Sequence, residues 1–149
     1  MEENKRVWPL LGKLSEADEF RAFSALRDAR EKHADCLRRQ QRLLLMREEY
    51  ENRLTNAKDR ILGGRDIAIC HDFIRHIDGL QKLMQQQIDM LLHVIREAEC
   101  AYEKARLNTA KWSQLDEREA ALERKRRRMA EQKRIDESAT VRFVQGIGR

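Results

Sequence analysis

The sequence predicts an all-α fold: two long antiparallel helices forming a coiled-coil hairpin. Three observations lead there. Of the 149 residues 38% are charged and only 5% aromatic, a composition dominated by strong helix formers and poor in the bulky side chains of a globular core. Between Gly12 and Gly79 the chain has a single glycine pair, Gly63 and Gly64, and no proline after Pro9. On the C-terminal side of that pair apolar residues recur every seven positions, the signature of a helix that packs along a narrow seam.

Pro9 suits the first turn of a helix, where a missing N–H costs nothing, and Ser15 is an alternative cap. Helix 1 is therefore placed at about residues 10–62. The Gly63–Gly64 pair is the one plausible reversal, because glycine tolerates the left-handed backbone that ends a helix. Helix 2 is expected over about 66–141, with a flexible tail over 142–149, all in a single domain. At 1.5 Å per residue such helices would be about 70 to 80 Å and about 110 Å long, so the expected shape is a rod.

Helix 2 carries one row through Cys70, Ile77, Met84, Leu91, Ala98, Ala105 and Trp112. Three residues after each stands a second row, Phe73, Leu80, Gln87, Val94, Ala101, Asn108 and Leu115, extending to Leu122 and Met129. Helix 1 offers Ala22, Ala29, Cys36, Leu43, Tyr50 and Ala57, with Leu26, His33, Gln40, Arg47, Leu54 and Ile61 beside them. A reversal at the glycine pair makes the numbers of facing residues add to about 127. That register sets Tyr50 opposite Ile77, Leu54 opposite Phe73, and Gln40 opposite Gln87 as a polar layer. A further row, Ile74, Ile88, Ile95 and Tyr102, has two readings: ordinary packing beside the seam, or a strip that docks a partner. Trp8 and Trp112 are expected to form a small cluster at the open end. Under the same register the residues after about 127 outrun helix 1 and form a free arm.

The composition also excludes function classes. No apolar run approaches the roughly 20 residues of a membrane span, and the N-terminus lacks the apolar centre of a signal peptide, so a cytosolic protein is expected. Cys36, Cys70 and Cys100 are an odd number without ligand spacing and read as reduced, small apolar residues. The four histidines, His33, His71, His76 and His93, lack the i, i+4 spacing of a helical metal site. Carboxylates are spread along helix faces, and two packed helices offer no deep cleft, so neither catalysis nor a cofactor is expected. Net charge is +5 with a pI near 9.3, and the excess is concentrated in Arg124, Lys125, Arg126, Arg127 and Arg128. For this run a solvated helix face and a protein-contact arm both stand. Nucleic acid is disfavoured, because Glu117, Glu119, Glu123 and Glu131 interrupt the run and no aromatic platform accompanies it.

Three stretches carry a family resemblance. They are REEYENRL at 47–54, DFIRHIDGLQKLMQQQ at 72–87, and KWSQLDEREAALERKRRRMAEQKRIDESATVRF at 111–143, whose EQK, DE and RF elements are the most characteristic. Together they resemble the FliJ proteins of flagellar protein export and, more distantly, the YscO stalk proteins of virulence type III secretion. The resemblance implies a non-enzymatic stalk that enters the central hole of a hexameric export ATPase, much as the γ subunit does in rotary ATP synthase. It further implies contact with the cytoplasmic domain of the export gate protein and with export chaperones. The location implied is cytoplasmic, peripheral at the base of the export apparatus on the inner membrane, without direct insertion. By match to the family, Arg124, Lys125, Arg126, Arg127 and Arg128 fall at the ring-inserted end. Leu43, Tyr50 and Phe73, with Ile77 and Leu80 as similar residues, fall on the gate-contact strip, where Arg39 and Met46 depart from the family pattern. The C-terminal elements favour a flagellum over an injectisome. The alternative is a structural coiled-coil scaffold joined as a homodimer, whereas the hairpin predicts a monomer of 17.7 kDa.

Overall fold

The computed structural model describes residues 7–57 and 63–148. It has the expected all-α architecture: α1, Val7–Ala57, and α2, Gly64–Ile147, pack against each other in antiparallel sense. Helix α1 starts three residues before the expected position, which places Pro9 in the first turn, where no backbone N–H is used. The expected end of helix 1 at Leu62 lies outside the described residues.

At the start of α2 glycine acts differently from expectation. Among the described residues no glycine has a positive φ. Gly63 instead stands just ahead of the helix, and its carbonyl accepts from the backbone N–H groups of Asp66 at 3.0 Å and Ile67 at 3.5 Å. It is an N-cap in its backbone role, and Asp66 in the first turn complements the positive end of the helix dipole. At the other end α2 continues to Ile147, so residues 142–147 are helical where a flexible tail was expected.

Packing divides the chain into two units, one made of residues 1–19 with 105–149 and the other of 20–104. In the second unit Leu26, Ala29 and Cys36 from α1 and Ile77 and Ile88 from α2 are buried. Both predicted rows of α1 line the seam within this unit, from Ala22 and Leu26 to Tyr50 and Leu54, each buried or half-buried. On α2 one row is as predicted, from Cys70 through Ile77, Met84, Leu91 and Ala98.

The second row of α2 is a correction. Phe73, Leu80, Gln87, Val94 and Ala101 are exposed, whereas Ile67, Ile74, Gln81, Ile88, Ile95 and Tyr102 are buried or half-buried. Either row lies beside the first on a helical surface, one four residues ahead and the other three. The row with four isoleucines and a tyrosine removes more apolar surface from water, and it takes the seam. This settles the two readings of Ile74, Ile88, Ile95 and Tyr102 in favour of packing.

The register moves with the row. Phe23 meets Tyr102 with ring centroids 5.8 Å apart, Gln40 Nε2 donates to Gln85 Oε1 at 3.0 Å, and Arg47 Nε donates to Asp78 Oδ1 at 2.8 Å. The numbers in each of these pairs add to 125, and those of Tyr50 and Phe73, stacked at 5.1 Å, to 123. Tyr50 is thus partnered by Phe73 instead of Ile77, and Gln40 by Gln85 instead of Gln87.

In the first unit the contacts are partly polar. Ser15 is 3% exposed, and its Oγ lies 3.1 Å from Thr109 Oγ1. Thr109 spends its only hydroxyl proton on the carbonyl of Ala105 at 3.0 Å, so Ser15 donates to Thr109 and accepts from Asn108 Nδ2 at 3.3 Å. Trp8 packs on Trp112 with centroids 5.4 Å apart, the cluster expected there, and Lys111 Nζ lies 5.9 Å from the Trp112 ring. From Arg124 to Gly148 every described residue is exposed.

Two outcomes test this packing. Ile88→Ala should cost about 2–4 kcal/mol in a denaturant melt followed by circular dichroism, because it empties a seam position, whereas Val94→Ala should stay within about 1 kcal/mol. In a background lacking the native cysteines, Ser15→Cys with Thr109→Cys should form an intramolecular disulfide on oxidation, and Gln40→Cys with Gln87→Cys should not.

Candidate functional site

Because the seam takes the isoleucine row, the row beside it becomes an outer face. In the 20–104 unit Ile69, Phe73, Leu80, Leu83, Met90 and Val94 are all exposed, from 37% at Leu80 to 70% at Met90. Their spacings of three, four or seven residues place them on one stripe of α2. A single exposed leucine means nothing, but a continuous stripe of this length does. Phe73 and Leu80 of the predicted gate-contact set lie on it. Leu43 and Tyr50 lie half-buried on α1, and each is brought to the stripe by a different contact. Tyr50 stacks on Phe73 at an interplanar angle of 6°, with the Arg53 guanidinium 5.3 Å from the Tyr50 centroid. Leu43 shares with Leu80, Leu83 and Met84 a shallow groove of about 450 Å³. Ile77 is 2% exposed and lies in the seam beneath this face. Sequence reasoning missed Ile69, Leu83 and Met90, although their three- and four-residue offsets from Phe73, Leu80 and Val94 were there to be read.

The edge of this face is pinned by charge. Arg47, half-buried on a seam row of α1, donates through Nε to Asp78 and through Nη1 to Glu51 at 2.6 Å. The hydrogen bond and charge of Asp78, and then the charge of Glu51, push the already high pKa of Arg47 further up. The guanidinium therefore stays charged at any pH at which the protein folds. Arg30 with Glu99 at 3.3 Å and Arg38 with Asp35 are exposed pairs of the same unit.

The second predicted set, Arg124, Lys125, Arg126, Arg127 and Arg128, lies in the other unit on the exposed stretch of α2. Consecutive residues are turned by about 100° on a helix. Five in succession therefore place positive charge around the whole circumference, as a collar and not as a face. Arg127 Nε lies 3.8 Å from Glu123 Oε1, a loose ion pair beyond hydrogen-bond range.

No group of three or more His, Cys, Asp or Glu comes together among the described residues in a way that could hold a metal. Cys36, Cys70 and Cys100 are free thiols. No helix among the described residues is long and apolar enough to cross a membrane.

The family model described as Flagellar FliJ protein matches residues 10–147. The chain belongs to the FliJ family. Neither the curated proteins nor the solved structures give a match. Membership gives the chain a role in flagellar protein export, within a family of non-catalytic helical adaptors. Both surfaces described here, the outer stripe of α2 and the cationic collar, belong to the matched part of this FliJ-family chain.

Proposed function

We propose that this FliJ-family protein is a non-enzymatic stalk of the flagellar export apparatus. Its cationic collar enters the central hole of the hexameric export ATPase, and the face around Leu43, Tyr50, Phe73 and Leu80 contacts the cytoplasmic domain of the export gate. It works as a cytoplasmic monomer peripheral to the inner membrane, and it receives export chaperones.

The observation that carries this reading is the form of the Arg124–Arg128 segment. A nucleic-acid or membrane surface presents phosphate from one side, so it selects helices with cations on one face. Charge distributed around the whole helix is solvated when free, and a partner that surrounds it, as the lining of a ring does, can meet all of it. The stretch is a single helix with every residue exposed from Arg124 to Gly148, the form such an insertion needs. The family match over 10–147 supplies the export context. Beneath the proposed gate-contact face, Ile77 is buried in the seam and supports the strip from below.

Titration of the purified protein into its cognate export ATPase should raise ATP hydrolysis and promote hexamers. Replacing Arg124, Lys125, Arg126, Arg127 and Arg128 together by Gln should leave helicity unchanged, lower the affinity at least about tenfold, and flatten its salt dependence. No stimulation by the folded wild-type protein would overturn the stalk reading.

A further inference from the structure

The outer stripe of α2 passes through a zone of unusual charge. From Cys36 to Arg47 on α1, and from Gly79 to Ile88 on α2, there is no Asp or Glu, while Arg38, Arg39, Arg42, Arg47 and Lys82 are all present. Two of these cations are compensated from outside the zone, Arg38 by Asp35 and Arg47 by Asp78 and Glu51. Arg39, Arg42 and Lys82 have no ion-pair or hydrogen-bond partner among the described residues. Arg39 and Arg42, three residues apart and so on one side of α1, form a wall of the groove whose apolar lining is Leu43, Leu80, Leu83 and Met84. Leu83 is 59% exposed at that point. Elsewhere in the same unit Arg30 and Arg53 each meet a carboxylate.

We propose that the groove and the stripe running through it bind an amphipathic helix of a partner protein that carries carboxylates beside its own apolar row. The three-, four- and seven-residue spacing of Phe73, Leu80, Leu83, Met90 and Val94 matches the knobs of a second helix laid along α2. The groove takes one apolar anchor of that helix, and Arg39 and Arg42 take the carboxylates next to it. Guanidinium pairs carboxylate in a fixed fork, so this wall sets direction and specificity while the apolar stripe supplies most of the contact area. A helix flanked by lysines is rejected at the same place, because it would bring a third and fourth cation to a rim without acids. The inference rests on the reading of this face as a partner-contact surface and names the chemistry of the partner.

Two labelled helical peptides test it, identical in their apolar row but flanked by Glu in one and by Lys in the other, with binding followed by fluorescence anisotropy. The Glu peptide should bind and the Lys peptide should bind at least about tenfold more weakly. Arg39→Gln with Arg42→Gln, both exposed, should remove that preference without loss of helicity, and Leu83→Asp should weaken the Glu peptide itself. Equal binding of the two peptides would overturn the proposal, and so would a preference that disappears only when Arg124 to Arg128 are replaced. The cytoplasmic domain of the export gate, measured against the same variants, separates the two readings. If it binds and is insensitive to Arg39 and Arg42, the acidic-helix proposal fails and the gate reading survives. If the Glu peptide binds at the groove and the gate domain does not bind, the gate reading fails and this one stands.

Discussion

Two helices packed as a pair can hide only a narrow seam, and that constraint decides nearly everything else in this molecule. Each helix contributes two adjacent rows, one residue in about every three and a half, and all other positions face water. In the 20–104 unit this leaves Leu26, Ala29, Cys36, Ile77 and Ile88 as the buried apolar residues. A chain with 41% hydrophobic residues has more of them than such a seam can take. The surplus must appear on the surface, and where it appears depends on which two rows the seam takes. Once the row of Ile74, Ile88 and Ile95 is inside, the row of Phe73, Leu80 and Val94 is outside. The exposed apolar stripe is thus the residue of a competition for the seam.

The limits of sequence reading follow from the same geometry. The fold class was legible because heptad spacing, composition and one glycine pair all point to it. The rows of α1 and the Cys70 to Trp112 row of α2 were legible for the same reason. The partner row of α2 was not, because rows three and four residues away are both neighbours of a given row and both are apolar here. Nothing local to Phe73 distinguishes it from Ile74. The distinction emerges only when the rows are compared for total apolar surface over several heptads: each has one glutamine, but the losing row adds Ala101 and Asn108 where the other has Tyr102 and Thr109. The register followed the row, and with it the identity of the Gln40 partner. The stripe completed by Ile69, Leu83 and Met90 was hidden because Phe73 and Leu80 had been assigned to the interior. Of the candidate contact residues, Ile77 alone proves to be buried.

Polar groups along the seam add selectivity that an apolar row cannot. An apolar seam can slip by one heptad at little cost, because each layer resembles the next. The Ser15, Thr109 and Asn108 cluster closes its hydrogen bonds at one alignment of the first unit, and Arg47 with Asp78 does so in the second. A slip would leave a buried hydroxyl without a partner, at a cost of about 1–3 kcal/mol. Gln81 is the exception, since its Nε2 is buried with no hydrogen-bond partner among the described residues. It occupies the position in the isoleucine row where another isoleucine would be expected, and the seam is weakened there. That point falls in the same acid-free stretch as Arg39, Arg42 and Lys82.

The two surfaces of this FliJ-family chain differ in chemistry, and on the proposed reading they would meet different kinds of partner. The collar at Arg124 to Arg128 is charge without an apolar row of comparable length, and it is distributed over every side of one helix. Such a surface can be held by an acidic lining in several rotational positions, because no single pairing defines its orientation. The stripe with its arginine wall is the reverse: in the proposed complex its apolar spacing would fix a partner along the helix, and two guanidinium groups on one side would fix which way that partner faces. The sequence concentrates cations at two places, one beside an apolar groove and the other on a fully exposed helix where, among the described residues, only Arg127 meets a carboxylate, that of Glu123.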